Sequence, residues 1–431
     1  MLFKNIDVLD ENFEIRKNLF VGVSGDRIRY IGETRPDEDF GDEYDGRNKL
    51  LMSGFYNAHA HAAMSLLRGY GENMTLQDWL FTRIFPFETQ LTPEAVYWGT
   101  LLSMAESIRF GIVSTSDMYY FTDDIVRAVV ESGEKINVTR AVAVPDDEPW
   151  KSPAIREMKE AFERYNGYAD GRVKVDMSIH AEYTCSDATV RTVTEYTKSV
   201  GAIMHIHISE TRSEHAGCKE RHGGLTPVQY FNRMGSWDTP SIAAHCIYIE
   251  GEDYDILKEK GVTVASNPNS NLKLSSGVCN VPELLRRGIR VAIGTDSVAS
   301  NNSLNFFEEM KAFALTGKMM FNDPTVVTPK ETLYAATRAG ALAQGRTDCG
   351  LLKEGFKADL IVVDTHKPNM VPVHDMRNNL VYSADGGDIL MTMVDGRVIY
   401  EKGEYKTIDI DKVIFEAQNQ TDEILKRLKQ V

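Results

Sequence analysis

Cysteine is scarce in this 431-residue chain. Cys185, Cys218, Cys246, Cys279 and Cys349 are scattered, with no C-x-x-C pair. An odd, unpatterned set argues against a disulfide framework and reads as reduced thiols in a cytoplasmic protein. Long apolar runs are missing too. The longest uncharged stretch, residues 50–67, contains Asn57, His59 and His61, groups too costly for lipid, so no membrane span is expected. The opening MLFKNIDVLDENF has no apolar core of a signal peptide. Positive charge is in deficit, with 48 Lys+Arg against 63 Asp+Glu and a net charge of −15. That balance excludes nucleic acid or an anionic membrane as the main partner. No P-loop, H-E-x-x-H or complete G-x-G-x-x-G occurs, since Gly69-Tyr70-Gly71 lacks its third glycine.

What is present is an ordinary globular mix, 42% hydrophobic and 26% charged. A chain of this length buries a large core without disulfide or metal staples, so a metal site here would serve function. A rhythm of short β-branched run, polar loop and helical pattern recurs eight times. The runs are residues 50–58, 111–115, 138–144, 173–179, 202–206, 241–244, 262–265 and 291–293. Thr92-Pro93, Ser152-Pro153 and Thr328-Pro329 open helices with a cap and a proline at the first position. Trp98, Leu101, Leu102, Ala105 and Ile108 then form one apolar stripe. Eight alternations predict an α/β fold, a (β/α)8 barrel, with a doubly wound open sheet as the alternative. The two ends alternate like antiparallel strands, and Asp395-Gly396 marks a hairpin turn. The expected organisation is a small β-sandwich domain built from residues 1–53 and 351–431 around a barrel at 54–350. The tail reads as a terminal amphipathic helix carrying Ile414, Ala417, Ile424 and Leu428.

Ten histidines in 431 residues predict about 0.2 H-x-H pairs by chance. This chain has two, His59-Ala60-His61 and His205-Ile206-His207. In a strand, side chains two apart face the same side, so one pair can reach one ion. Both pairs end predicted barrel strands, and strand C-termini form the active-site face of barrel enzymes. His180, Ala244-His245-Cys246 and Gly294-Thr295-Asp296 also fall at strand ends. Any one alone reads as a loop residue bonded to backbone. Together, imidazole and carboxylate are the donors of a zinc- or iron-type ion with hydrolytic duty.

The runs Asn57-Ala58-His59-Ala60-His61, His207-Ile208-Ser209-Glu210-Thr211, Ala243-Ala244-His245-Cys246, Asn267-Pro268-Asn269-Ser270-Asn271 and Gly294-Thr295-Asp296-Ser297 resemble the amidohydrolase superfamily. The closest resemblance is to its mononuclear branch containing the 5′-methylthioadenosine/S-adenosylhomocysteine deaminases, and it spans nearly the whole chain. The resemblance implies a distorted TIM barrel and one divalent metal, zinc first, with iron or manganese as alternatives. It implies His59, His61, His207 and Asp296 as ligands. His207 is preferred to His205 because it lies three residues before Glu210, which leaves His205 a satisfied histidine within its strand. It further implies Glu210 as proton shuttle, His245 as the group orienting the attacking hydroxide, and Asp296 as ligand and base. No lysine lies near the end of strand four, as binuclear relatives would require; Lys174 sits at its beginning. The Pro-Cys-x-x-Cys of the other deaminase fold is absent, although His180-Ala181-Glu182 mimics half its signature.

For the substrate, a small nucleoside, the resemblance implies Trp79 as a pocket wall, Glu88 on the ribose hydroxyls and His180 as a substrate-binding histidine after strand four. It implies Arg140 and Arg156 on a homocysteine carboxylate. Without it, Trp79 reads as core, Glu88 as an exposed helix residue and Arg156 as a solvated helix face. Three positions depart from the family pattern: Ser53 and Glu182 stand where proline is common, and Ser266 where histidine is. Glu182 predicts a negative charge beside the substrate pocket. The expected activity is hydrolytic deamination of 5′-substituted adenosines. The alternatives are another aromatic substrate (guanine, an oxidised purine, a pterin or a chlorotriazine) and a catalytically inactive binding protein. Oligomeric state is left open, a homo-oligomer included.

Overall fold

The computed structural model describes residues 1–430. Its centre is a barrel of eight parallel strands: β1 (Phe55–Ala60), β2 (Ile112–Tyr119), β3 (Lys135–Arg140), β4 (Val173–Val175 continuing as Met177–Ile179), β5 (Met204–Ile208), β6 (Ser241–His245), β7 (Thr263–Ser266) and β8 (Val291–Ile293). Two arcs, β1 to the first half of β4 and its second half to β8, make up the ring. Asp176 separates the halves of β4, and its N–H bonds Val138 O at 3.0 Å. A bridge between Ala60 and Asp296 closes the other seam. These two irregular seams are what distorts the barrel. The strand residues are almost all buried because both faces are covered, even where they are polar, as at Lys135, Asn137, His205 and His207.

The first barrel strand differs from the expected 50–58. Residues 50–53 belong to Lys49–Ser53, a strand of the terminal domain, and the chain crosses into the barrel at Gly54. A Cβ there would meet Val113 Cγ1 at 2.3 Å, so only glycine permits the crossing. The third strand begins three residues earlier than expected and ends at Arg140.

The terminal domain is one nine-stranded sheet rather than two separate layers. Its hydrogen-bonded path runs Glu404–Tyr405, Arg397–Glu401, Ile389–Val394, Leu360–Asp364, Lys49–Ser53, Leu2–Leu9, Ile15–Ser24, Arg27–Gly32, with Glu43–Asp45 beside Leu2–Leu9. The sheet rolls onto itself: Ile28 N bonds Phe356 O at 3.0 Å, and Phe3, Val21, Ile28, Val362 and Met391 share one core. The sandwich-like interior therefore comes from curvature.

Thr92, Ser152 and Thr328 cap their helices through their side chains, each followed by proline. Helix Pro93–Arg109 is buried on more than the expected stripe, because the terminal helix Ile410–Leu428 and the short turn Ala62–Leu67 pack on it. In the terminal helix Val413, Ala417 and Ile424 face inward, whereas Ile414 is 55% exposed. Among the described residues, no helix is long and apolar enough to cross a membrane.

One buried ion pair ties the terminal domain to the barrel floor. Lys135 Nζ bonds Asp359 Oδ2, which also accepts from Tyr56 Oη at 2.6 Å. Asp359 Oδ1 accepts from Asp395 N at 2.9 Å. Burial opposes both charges, yet each holds the other ionised. Removing one partner of such a pair strands a buried charge and costs about 3–5 kcal/mol. Lys135→Met is expected to lose that much in urea unfolding, and a loss under about 1 kcal/mol would show that the pair is not a tie.

Candidate active site

The strand ends at the C-terminal mouth of the barrel carry the chemistry. His59 lies within β1 and His61 just past it, with Ala60 between them bridged to Asp296 beyond β8. His207 lies in β5 and His245 ends β6. Asn57 stitches β1 to β8: its Oδ1 accepts from Thr295 N at 3.0 Å and its Nδ2 donates to Thr295 Oγ1 at 2.7 Å. Asp296 N then donates to His59 O at 2.9 Å. Gly294 is required at this seam, since a Cβ would lie 2.3 Å from Asn267 Oδ1 and 2.9 Å from His59 Cβ. Asp296 and His245 both hold left-handed backbone, φ 57° and 72°. Such conformations in non-glycine residues persist only where the surroundings impose them.

Hydrogen bonds aim the imidazoles inward. The Nδ1 of His61 lies 2.6 Å from Met118 O, and that of His207 lies 2.7 Å from His180 O. Each Nδ1–H is assigned as donor to its carbonyl, which turns Nε2 toward the centre. His59 Nδ1 is 2.9 Å from His205 Nε2, and its own Nε2 is buried with no hydrogen-bond partner. The inner atoms crowd together. His61 Nε2 is 3.3 Å from His207 Nε2 and 3.3 Å from Asp296 Oδ1, and His59 Nε2 is 3.6 Å from the same oxygen. Metal–nitrogen bonds of about 2.0–2.1 Å in a tetrahedral site put ligand atoms about 3.3 Å apart, so this spacing fits one first-row divalent ion. The electrostatics agree. Burial opposes it, yet the Asp296 carboxylate raises His61 to about 9, and Asp296 in turn is held well below the usual carboxylate range. Burial and the neighbouring imidazoles push His59 and His207 down, toward the neutral form that ligates a metal. Asp296 Oδ2, facing away, accepts from Ser270 Oγ at 2.6 Å and Ser300 Oγ at 3.1 Å.

Above this ring stand His245 and Glu210. His245 Nδ1 lies 2.9 Å from Asn271 Oδ1, and its Nε2 is 3.7 Å from Glu210 Oε2. Burial raises the Glu210 pKa. Glu214 pins the Glu210 backbone, accepting from Ser209 N at 2.8 Å and Glu210 N at 2.7 Å. Sequence reasoning had not singled out Glu214, although Thr211-x-x-Glu214 is a capping-box signature that marks it. Asn271, Ser270 and Ser300 gave no sequence signal beyond lying in or near the recognised runs.

His61, His180, His207, Glu210, His245 and Asp296 line one narrow inner chamber of about 80 Å³, with Trp79 and Glu88 on its walls. Burial lowers His180 to about 4, so it is neutral. Phe85, Glu88 and Tyr120 also line an outer vestibule of about 670 Å³, which Arg140 faces. Arg156 is not brought to either cavity: its side chain is 65% exposed and lies 3.8 Å from Glu160. Glu182 does not add charge to the chamber as expected. It is buried behind the wall, where Arg221 Nε donates to it at 2.9 Å, a second Arg221 nitrogen adds to this, and His222 Nε2 lies 2.7 Å away.

The mouth of the barrel thus gathers imidazoles and a carboxylate, with His59, His61 and Asp296 in one close group and His59, His207 and His245 in another, a donor set suited to a metal-dependent hydrolase. The chain belongs to the amidohydrolase family, whose model matches residues 50–399. It is 38% identical over 428 residues, 99% of both chains, to a 5-methylthioadenosine/S-adenosylhomocysteine deaminase of Caldanaerobacter subterraneus subsp. tengcongensis. It is 40% identical over 415 residues, 96% of this chain and 95% of the other, to a 5′-deoxyadenosine deaminase of Methanosarcina mazei. A zinc-bound adenosine deaminase from Xanthomonas campestris superposes with a TM-score of 0.91 at 29% identity, covering 99% of this chain and 98% of that one.

Gly294→Ala is expected to open the β1–β8 seam, costing about 1–3 kcal/mol of stability. Metal per chain, measured by plasma mass spectrometry, should fall with it; full occupancy in a folded variant would show the seam does not set the ligand spacing.

Proposed function

We propose that this enzyme hydrolytically deaminates 5′-substituted adenosines to the corresponding inosines and ammonia. The observation that carries this reading is a pair of adjoining cavities: an inner chamber lined by His61, His180, His207, Glu210, His245 and Asp296, and an outer vestibule that shares Phe85, Glu88 and Tyr120 with it. That order matches a purine, its ribose and a 5′ group laid end to end. The names of the full-length relatives support the same substrate class.

His59, His61, His207 and Asp296 would hold one divalent ion, zinc by preference as in the Xanthomonas protein. When bound, such an ion lowers the pKa of water toward neutrality. His245, held by Asn271, orients the attacking water with its inward nitrogen. Glu210, whose pKa burial raises, donates to ring N1 and so makes C6 electrophilic. Asp296 takes the proton from the water as the C6–O bond forms. Asp296 then passes its proton to the amine while the C6 hydroxyl proton returns to Glu210, so that the C6–N bond breaks, ammonia leaves and C6=O forms with both carboxyls restored. His180 is neutral and offers a hydrogen bond to the base without a competing charge.

Glu210→Gln is expected to lower kcat by about 10²–10⁴-fold, followed by the adenine-to-hypoxanthine absorbance change. No turnover of methylthioadenosine, 5′-deoxyadenosine, adenosylhomocysteine or adenosine by metal-replete wild-type enzyme would refute the proposal.

Glu88 separates this reading from one with another aromatic substrate. An ionised carboxylate accepts from two neighbouring hydroxyls at once, whereas a protonated one cannot do so equally. Burial, opposed by the Tyr119 and Tyr120 hydroxyls, pushes Glu88 up to about 7. Nucleoside KM should therefore fall as pH rises from about 6 to about 8. Glu88→Gln should abolish that limb and raise KM about tenfold, the worth of a charge-assisted hydrogen bond. An unchanged KM in this variant would favour a substrate without a ribose.

A further inference from the structure

We infer that the vestibule selects uncharged 5′ substituents, such as hydrogen, methyl or methylthio, and disfavours those ending in a carboxylate. The inference rests on the proposed deamination and concerns the outer half of the cavity alone.

The charge of this vestibule is one-sided. Glu88, Asp123, Asp124, Glu157 and Glu160 contribute carboxyls to its lining, against the guanidiniums of Arg140 and Arg164. Neither guanidinium is free. Arg140 Nε donates to Glu157 Oε2 at 2.7 Å, another of its nitrogens bonds Ala141 O, and its plane lies 4.8 Å over the Tyr120 ring. Arg164 Nη1 donates to Asp123 Oδ2 at 2.8 Å, and its Nη2 donates to Tyr165 Oη at 2.8 Å. Arg156, the second arm of a carboxylate clamp by resemblance, points to solvent beside Glu160. Asp124 lies 3.5 Å from Arg127, which stands outside the lining. A substrate carboxylate entering here must share Arg140 or Arg164 with Glu157 or Asp123, or sit among like charges, and such juxtaposition is unfavourable.

Apart from Thr89 and Thr122, the rest of the wall is largely apolar. Phe85, Pro93, Tyr120 and Phe121 face the cavity. Phe121 does so from left-handed backbone, φ 56°, which a bulky side chain adopts only under constraint. Aromatic rings make favourable contacts with thioether sulfur and methyl groups. The surface is therefore complementary to a small apolar 5′ group, with its cations already spent on the protein's own acids.

The test is a series of kcat/KM measurements on the metal-replete enzyme. Methylthioadenosine and 5′-deoxyadenosine are expected to exceed adenosylhomocysteine by at least about tenfold, the size of one lost or opposed charge contact. The carboxamide of adenosylhomocysteine keeps the length and the α-ammonium and loses only the negative charge, and it should recover most of that loss. Glu157→Gln, which releases Arg140, should raise adenosylhomocysteine relative to methylthioadenosine about fivefold. Adenosylhomocysteine equal to or better than methylthioadenosine would overturn the inference while leaving the deaminase reading intact. A carboxamide no better than the acid would overturn it in favour of selection by size. The substrate series decides the matter even if the variant does not fold. Absence of turnover with every adenosine would remove the deaminase reading and this inference together.

Discussion

Imidazole nitrogens and a carboxylate oxygen crowd at the mouth of the barrel, His61 Nε2 lying 3.3 Å from both His207 Nε2 and Asp296 Oδ1 and His59 Nε2 3.6 Å from that oxygen, and this crowding is the constraint on which the site depends. In water such groups would turn apart. Here each is fixed from behind, by a backbone carbonyl on His61 and His207, by His205 on His59, and by two serine hydroxyls on Asp296. The residual conflict is electrostatic, and a cation resolves it. This is why much of the polar apparatus around the mouth, Asn57 at the seam and Asn271 behind His245, acts on orientation rather than on substrate.

The same cavity is divided by charge. Its inner end gathers histidines and the Glu210 carboxyl, and its outer end gathers acids, two of them bonded to Arg140 and Arg164. Glu88 stands where the two meet, shared by both linings. Arg221 and His222 show how the protein neutralises an acid it does not want in the chamber: Glu182 is buried nearby but faces them. One carboxyl type thus serves as proton carrier, hydroxyl acceptor or structural counter-ion, according to what surrounds it.

The barrel and its mouth were largely legible because the signals were local. Period-two spacing in His59-x-His61 and His205-x-His207, and Gly294-Thr295-Asp296 after a short apolar run, announce side chains at strand ends. What escaped needed three dimensions. Residues 50–58 look like one strand, since nothing in Ser53-Gly54 says that the chain changes sheets there. Glu182 looked like a pocket charge because its partner Arg221 is 39 residues away. Arg156 follows the spacing of a ligand-binding arginine, but its helix turns that face to solvent. The left-handed backbone at His245 and Asp296 has no signal in a non-glycine residue. Ile414 missed its place by one residue, which on a helix rotates a side chain by about 100°.

The rolled terminal sheet has a consequence for how the chain acquires its shape during synthesis. Lys49–Ser53 pairs with Leu360–Asp364, Ser53 lying opposite Leu360. The first half of that sheet must therefore wait on the ribosome until some three hundred further residues have emerged, with an open strand edge exposed throughout. Pairings of such long sequence separation are slow. Maturation of this protein is thus paced by the meeting of its two ends, and newly made chains lacking the late strands are the species that chaperones would need to shield.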